Sequence, residues 1–228
     1  MNTRRDLYVL LGGCLLAFGA SVVNVAFLLR TGTSVSHLTG DVSRLAMDWA
    51  DASDEALTHS WQVLAAALGF VLGAVLAGFV IHQPNLVLAR PYGRTVIFIG
   101  CLLVGSEMLR PGHPHLAIGL AACACGVQNA LATRYRQIIL RTTHITGLLT
   151  DLGTSLGMRM RGRAIPRHGI LVPAAICVAF FLGALTSGFT LARTSVPLLT
   201  VVGAGYVLGG LVWSVVKRTI IPPEDLTG

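Results

Sequence analysis

The chain has 228 residues, of which 54% are hydrophobic and only 12% are charged, and its mean hydropathy is +0.72. A water-soluble domain of this length needs far more charge on its surface, so the composition excludes that class and indicates an integral membrane protein. The net charge of +7 does not indicate a nucleic-acid partner, because the basic residues lie between apolar stretches and not on one polar face beside aromatic groups.

Four long uncharged stretches predict membrane-spanning helices, since about 20 apolar residues cross a bilayer core roughly 30 Å thick. They are Leu7–Leu29, Trp61–Ile81, Gly169–Thr190 and Val196–Val216. Two weaker spans, Val96–Leu109 and Leu116–Thr133, flank a short turn whose prolines and glycine are typical of a helical hairpin. The sequence therefore predicts an all-α protein, a single transmembrane domain over 1–228, with six spans.

The distribution of positive charge predicts the topology, because Lys and Arg are retained on the cytoplasmic side. Thirteen of the 17 fall in connections that six spans would place on one side: Arg4, Arg5, Arg90, Arg94, Arg134, Arg136, Arg141, Arg159, Arg161, Arg163, Arg167, Lys217 and Arg218. The other side keeps Arg30, Arg44, Arg110 and Arg193. Both termini are therefore expected in the cytoplasm. The alternative for the first span, a cleaved signal peptide with a twin-arginine start, is disfavoured because the apolar run is long.

Two segments of the first half recur in the second half in the same order. Ser36–Ala46 aligns without gaps with Thr143–Gly153, and Phe70–Phe79 aligns with Phe180–Phe189. Each half then consists of a span, a motif and two more spans, with repeats at 7–110 and 115–216 and a cytoplasmic tail at 217–228. Because three spans are an odd number, the second copy enters the membrane from the opposite face, as in many secondary transporters.

The repeated motif is a histidine, an aliphatic residue, a threonine and a glycine. Threonine and glycine suit a chain break followed by a helix start, and a helix N-terminus attracts anions or carboxylates. The candidate substrate-binding residues are this motif and the polar residues near it: His37, Thr39, Gly40, Asp41, His144, Thr146, Gly147, Asn24, Gln128 and Asn129. One interpretation brings both motifs into the membrane, where the histidines donate or shuttle protons. The other has each motif cap an amphipathic helix that lies flat in the interface.

Individual residues near the motif leave further alternatives open. Asp41 follows the first glycine whereas Leu148 follows the second, so the two half-sites differ, and Asp41 either caps the helix or binds a cation. For Asn24 and Asn129 the alternative to a substrate contact is hydrogen bonding between helices. Glu107, a charged residue late in the third span, either has a functional role or forms an interfacial ion pair with the nearby Arg110.

Other patterns predict packing and not chemistry. Four glycines, Gly73, Gly78, Gly183 and Gly188, are interpreted as sites of close helix approach. Five cysteines lie within apolar runs, where they are expected to pack as small apolar side chains rather than form disulfides or a metal site. The chain contains none of the usual catalytic or nucleotide-binding motifs, so no enzyme activity, cofactor or metal is expected.

The motifs resemble those of the YoaK family, bacterial membrane proteins also known as the DUF1275 domain. The resemblance rests on Ser36–Gly40 with Arg44-Leu45 behind it, and on Gly126–Ala130 followed by Arg141–Gly147, and it extends over roughly residues 8 to 216. The family typically has Thr-Gly-Asn where this chain has Thr39-Gly40-Asp41, and an acidic residue late in the first span where the nearest polar residue here is Asn24. The resemblance implies a protein of the bacterial inner membrane.

The leading hypothesis is a small secondary transporter or exporter of a small polar or anionic solute. A channel on the same inverted-repeat scaffold is the first alternative, and a membrane scaffold or sensor that transports nothing is the second. The expected partners are membrane lipids and the solute. A homodimer would enlarge the buried area of a protein with only six short spans.

Overall fold

The computed structural model describes residues 4–51, 53–80, 92–131, 134–135, 138–139 and 142–220. Its elements are α1 (Arg4–Thr31), α2 (Leu38–Asp51), α3 (Asp54–Val80), α4 (Tyr92–Leu109), α5 (Pro114–Leu131), β1 (Arg134–Tyr135), β2 (Ile138–Ile139), α6 (Ile145–Met160), α7 (His168–Arg193) and α8 (Leu198–Ile220). The predicted all-α class is confirmed. The two strands, which the sequence did not predict, form a two-residue antiparallel ladder between α5 and α6.

Among the described residues, five helices are long and apolar enough to cross a membrane, which confirms the predicted class of protein. They are α1, α3, α4, α7 and α8. The predicted fourth span is the helix α5, whose Pro114, His115, Gln128 and Asn129 make it less apolar than the others. Eleven of its 18 residues are buried inside the protein, so α5 is a central helix that needs little contact with lipid. The predicted ends at Ile81 and Thr133, and the tail beyond 220, lie outside the described residues.

Glycines hold two pairs of parallel helices in close contact. A side chain at Gly73 of α3 would collide with the Cys123 carbonyl of α5, and one at Gly183 of α7 would collide with the Phe18 carbonyl of α1. One helical turn further along α7, the Ser187 hydroxyl donates to the Val22 carbonyl of α1 at 3.0 Å. Residue numbers rise together along each pair, so α3 runs parallel to α5 and α7 runs parallel to α1.

The predicted packing role of the four glycines holds for only two of them. Gly78 and Gly188 have open space where a Cβ would be. Both lie five residues beyond a packed glycine, and 3.6 residues per turn rotate that position away from the contact. A spacing of five therefore cannot place both glycines of a helix against the same neighbour.

The antiparallel pair α4 and α8 also packs through glycines. A Cβ at Gly93 would meet the Gly210 carbonyl oxygen and one at Gly100 would meet the Gly203 carbonyl oxygen, and the reverse contacts are equally close. Residue numbers rise along α4 as they fall along α8, so the two helices run in opposite directions. The backbones touch at both crossings.

The shorter helices α2 and α6 each pack along the helix that follows them, α3 and α7 respectively. Leu148, at the start of α6, is buried in a cluster with Ala17, Val172 and Ile176. Ser155, further along α6, lies against Gly169 near the start of α7. The helix α6 therefore runs antiparallel to the first half of α7, from near its middle back to its N-terminal end.

Glu107 connects three elements at the end of the bundle where α1 and α4 finish. Its carboxylate accepts hydrogen bonds from Arg30 of α1 at 3.3 Å and from Arg110, in the turn after α4, at 3.1 Å. Glu107 is buried, whereas the two arginines are partly exposed. The predicted ion pair with Arg110 is present, and the contact with Arg30 adds a tie between the first span and the α4–α5 hairpin.

We expect the substitution Glu107→Ala to lower the free energy of unfolding by about 1–3 kcal/mol, because removing one partner of a buried pair leaves the other charge uncompensated. Part of the loss is recovered by water, since both arginines reach the surface. Thermal unfolding in detergent measures the change, with Asp151→Asn on the exposed face of α6 as the control. Equal stability of both variants would contradict a structural role for Glu107.

Candidate functional site

Asn24 anchors the chain between α1 and α2. Its side-chain oxygen accepts a hydrogen bond from the Ser34 hydroxyl at 2.7 Å and from the amides of Val35 and Ser36, each at 3.1 Å. Asn24 and all three donor residues are buried. The amide side chain therefore replaces the hydrogen bonds that this loop would otherwise make with water, and it fixes the residues immediately before His37.

Asp41 and Ser34 complete the first motif. The Asp41 carboxylate accepts a hydrogen bond from the Ser34 amide at 2.9 Å, and the Ser34 hydroxyl accepts one from the His37 amide at 2.9 Å. Burial raises the pKa of Asp41, while the Ser34 hydrogen bond and the charges of His59 and Arg44 oppose that rise. Asp41 therefore reaches back from the first turn of α2 to stabilise the loop in front of it.

The second motif is fixed by a different set of side chains. The Gln128 amide donates to the Leu16 carbonyl of α1 and to the Thr142 hydroxyl, both at 2.9 Å, and its oxygen accepts the hydroxyl of Tyr206 from α8. These bonds use both donors of Gln128. Asn129, the next residue, accepts the Thr143 hydroxyl at 2.9 Å. In both halves an asparagine near the end of a helix thus holds the residues in front of the histidine.

The helices start earlier than the sequence predicted. We expected a helix after Gly40 and after Gly147, but α2 begins at Leu38 and α6 at Ile145, directly after the histidines. Threonine and glycine therefore occupy the first turn and do not break the chain. Gly147 has a steric role instead, since a Cβ there would lie 2.7 Å from a ring nitrogen of His144. Gly40 has open space around it.

His37 lies within range of the charge of His144, although 107 positions separate the two residues in the sequence. They lie close enough for the charge of one to affect the other: burial, and secondarily His144, lower the pKa of His37 below its usual value of 6.5. The His37 ring packs edge-on against Phe180, at a centroid distance of 5.2 Å, near the middle of α7. Its Nε2 atom is buried and has no hydrogen-bond partner among the described residues.

The predicted site residues next to the two histidines in the sequence differ in how far their side chains are exposed. Thr39, Gly40, Thr146 and His144 are exposed, whereas Asp41 is buried. The side chains of Asn24 and Gln128 are occupied by the loops they hold. A ligand at the histidines would therefore meet the first turns of α2 and α6, and the three amides Asn24, Gln128 and Asn129 would lie behind the loops.

A family model described as a protein of unknown function, DUF1275, matches residues 12–213. The chain belongs to the DUF1275 family. The match covers both copies of the motif, all of α3, α4, α5 and α7, and most of α1 and α8, and it confirms the predicted DUF1275 assignment. A comparison with curated proteins found no match, and neither did a comparison with solved structures.

Sequence reasoning missed several residues that shape this DUF1275 site. Tyr206 lies in the middle of an apolar span, where the rule that polar residues within spans deserve inspection would have identified it. The sequence marks Phe180 only as part of the repeat, and its contact with His37 carries no sequence signal. Ser34 precedes the repeated segment, but small hydroxyl residues near helix starts commonly bond the backbone.

Proposed function

We propose that this DUF1275 protein is a small secondary transporter whose six long helices cross the membrane as a 3+3 inverted repeat. Spans joined in sequence alternate in direction, so the first and fifth are parallel, the second and fourth are parallel, and the third and sixth are antiparallel. The close contacts of α1 with α7, α3 with α5, and α4 with α8 have these directions. Counting α5 as a span is what makes the number even.

The contacts between helices also support two equivalent halves. The contact of Gly73 with Cys123 on α5 has a counterpart in the contact of Gly183 with Phe18 on α1. Exchanging the two halves by the repeat converts each into the other. It likewise converts the contact between Gly93 and Gly210 into the one between Gly203 and Gly100. Such an exchange is expected of a pseudo-two-fold axis that passes between α4 and α8.

The observation that carries the proposal is that His37, in the first half, packs against Phe180 in the middle of a long apolar helix of the second half, within range of the charge of His144. Histidines on flat interfacial helices at opposite membrane faces would be separated by the hydrocarbon core, about 30 Å thick. Their proximity supports motifs that enter the membrane. In inverted-repeat transporters the substrate site lies near the midplane, where the two copies meet.

The chemistry of this centre suits a small polar or anionic solute. The first turns of α2 and α6 start directly after the two histidines, and amides in a first helical turn lack intrahelical partners. Each imidazole can donate a hydrogen bond to such a solute. We further propose that the protein resides in a bacterial inner membrane with both termini in the cytoplasm, in accord with the distribution of its Lys and Arg residues.

Transport is tested in two steps with the purified protein. A thermal-shift screen of small carboxylates, phosphate, sulfate and amino acids first identifies a compound that stabilises the protein, since a ligand must stabilise the fold it binds. Uptake of that compound is then measured in proteoliposomes with and without a proton gradient. We expect saturable uptake that responds to the gradient, and its loss in His37→Ala and His144→Ala.

The matched control is His115→Ala, which removes an exposed histidine at the start of α5. It should transport at the wild-type rate. A current that rises linearly with solute concentration would identify a channel instead. The absence of both flux and current would contradict the transport proposal. Full uptake by both motif variants would contradict the assignment of the site to the histidines.

A further inference from the structure

Two helix pairs that the repeat makes equivalent are packed to different extents. The α4–α5 pair is in contact along much of its length, with the Ser106 hydroxyl donating to the Ala117 carbonyl at 2.7 Å and Leu120 lying against Gly105. The counterpart pair, α8 and α1, has a much smaller contact. It is centred on Tyr206, whose ring lies against Gly19 and whose hydroxyl oxygen lies 3.2 Å from the Leu16 carbonyl oxygen.

The apolar side chains that the smaller contact leaves uncovered can be matched to their counterparts. A shift of 105 residues relates Asn24 to Asn129 and Leu15 to Leu120, and a shift of 110 relates Gly100 to Gly210 and Gly105 to Val215. Leu15 is 71% exposed and Val215 is 67% exposed, whereas both Leu120 and Gly105 are half-buried against each other. The leucine is thus covered in one half and uncovered in the other, and the position level with it on the neighbouring helix is half-buried as Gly105 and exposed as Val215.

We propose that the exposed apolar faces of α1 and α8, at Leu15 and Val215, are docking surfaces for each other in a second state of the protein. In that state α8 packs on α1 as α4 packs on α5 here, while α4 and α5 separate. This inference rests on the proposed transport function and on the inverted repeat, because the exchange of equivalent contacts is what carries a central site from one membrane face to the other.

The two states differ in the membrane face to which the bundle is open. With both termini in the cytoplasm, Leu15 and Val215 lie in the cytoplasmic halves of their helices, and the α4–α5 hairpin is at the outer face. The structure thus has its outer half closed and its inner half open. The hydrogen bond from Arg30 to Glu107 joins α1 to α4 at the closed end. This contact further stabilises the closed end, and it has to break before the second state can form.

The occupant is this same chain and not a second copy, since α1 and α8 already touch at Tyr206 and diverge from there. Two neighbouring helices of one molecule need only a small rotation to bring their faces together. The apolar side chains gain nothing specific from lipid, whereas close packing between helices adds van der Waals contact. A second copy would have to meet both faces at once.

Disulfide trapping tests the proposal in the full-length protein. The variant Leu15→Cys/Val215→Cys is made with the five native cysteines replaced by alanine, and it is oxidised in proteoliposomes. We expect an intramolecular disulfide, although both positions are exposed here. The positive control, Gly105→Cys/Leu120→Cys, joins positions that already touch. The negative control, Leu15→Cys/Val201→Cys, uses an exposed position at the opposite end of α8.

The outcomes separate this inference from the transport proposal. A Leu15–Val215 disulfide that reduces solute uptake to the level of empty liposomes, reversed by reductant, supports both. The same disulfide without measurable uptake at any time supports the docking surface and contradicts transport. If only the positive control forms a disulfide, the docking proposal is overturned. A dimer cross-linked through the single substitution Leu15→Cys also overturns it, because the exposed face would then bind a second copy.

Discussion

The substitution Gly73→Ala is expected to destabilise the protein by roughly 3 kcal/mol or more, at or above the usual range for overpacked cores. The added methyl group would collide with the Cys123 carbonyl and approach the Val127 amide, which are backbone atoms of α5. A flexible side chain could move aside, but a helix backbone cannot move without separating the two helices. We therefore expect a large fall in the thermal unfolding midpoint in detergent and a loss of monodisperse protein.

The same helix supplies the control for that experiment. Gly78→Ala adds an identical methyl group at a position with open space around it, and alanine favours the helix by about 1 kcal/mol over glycine. The second half offers the same comparison with Gly183→Ala and Gly188→Ala. Equal unfolding temperatures for Gly73→Ala and Gly78→Ala would contradict the close contact between α3 and α5.

Asn24→Ala should produce the second large effect, a loss of about 3 kcal/mol, because leaving a buried donor without its partner costs roughly 1–3 kcal/mol. Three donors lose their acceptor at once, and two of them are backbone amides. Asn129→Ala removes a single hydrogen bond to Thr143 and should have a smaller effect, about 1 kcal/mol.

The two asparagine variants are compared by thermal unfolding and by solute uptake in proteoliposomes. Since Asn24 holds the residues in front of His37, uptake should fall further than protein yield in Asn24→Ala. A variant that retains wild-type stability would show that the loop is held by other contacts. Equal losses in both variants would contradict the unequal number of hydrogen bonds.

The membrane helices could be predicted from the sequence because hydropathy and charge act over whole segments. The apolar stretches Leu7–Leu29 and Gly169–Thr190 lie within α1 and α7 as expected. The helix α5 is harder to predict as a span, since its polar residues Gln128 and Asn129 are tolerated only because the bundle buries them and satisfies their hydrogen bonds. The roles of individual glycines depended on which face of each helix meets a neighbour, and sequence spacing alone did not identify that face.

The candidate site was predicted in part. The repeated motif indicates His37 and His144, and in the structure His37 lies within range of the charge of His144. The first residues of α2 and α6 could not be predicted, because threonine and glycine are equally compatible with a helix cap and with a first helical turn. The three hydrogen bonds of Asn24 depend on a loop conformation that is determined by the packed helices. A single polar residue in an apolar stretch does not reveal whether its partner is a solute or the backbone.

The paired glycines of α4 and α8 have a mechanical consequence. Because backbone meets backbone at two crossings seven residues apart, sliding one helix by a single position would drive Ile97 or Val104 into the opposing chain. The two helices are therefore held in register by backbone contacts, which cannot move aside as a flexible side chain can. A rearrangement that keeps this register has to turn the remaining helices about the α4–α8 pair, to which each half contributes one helix.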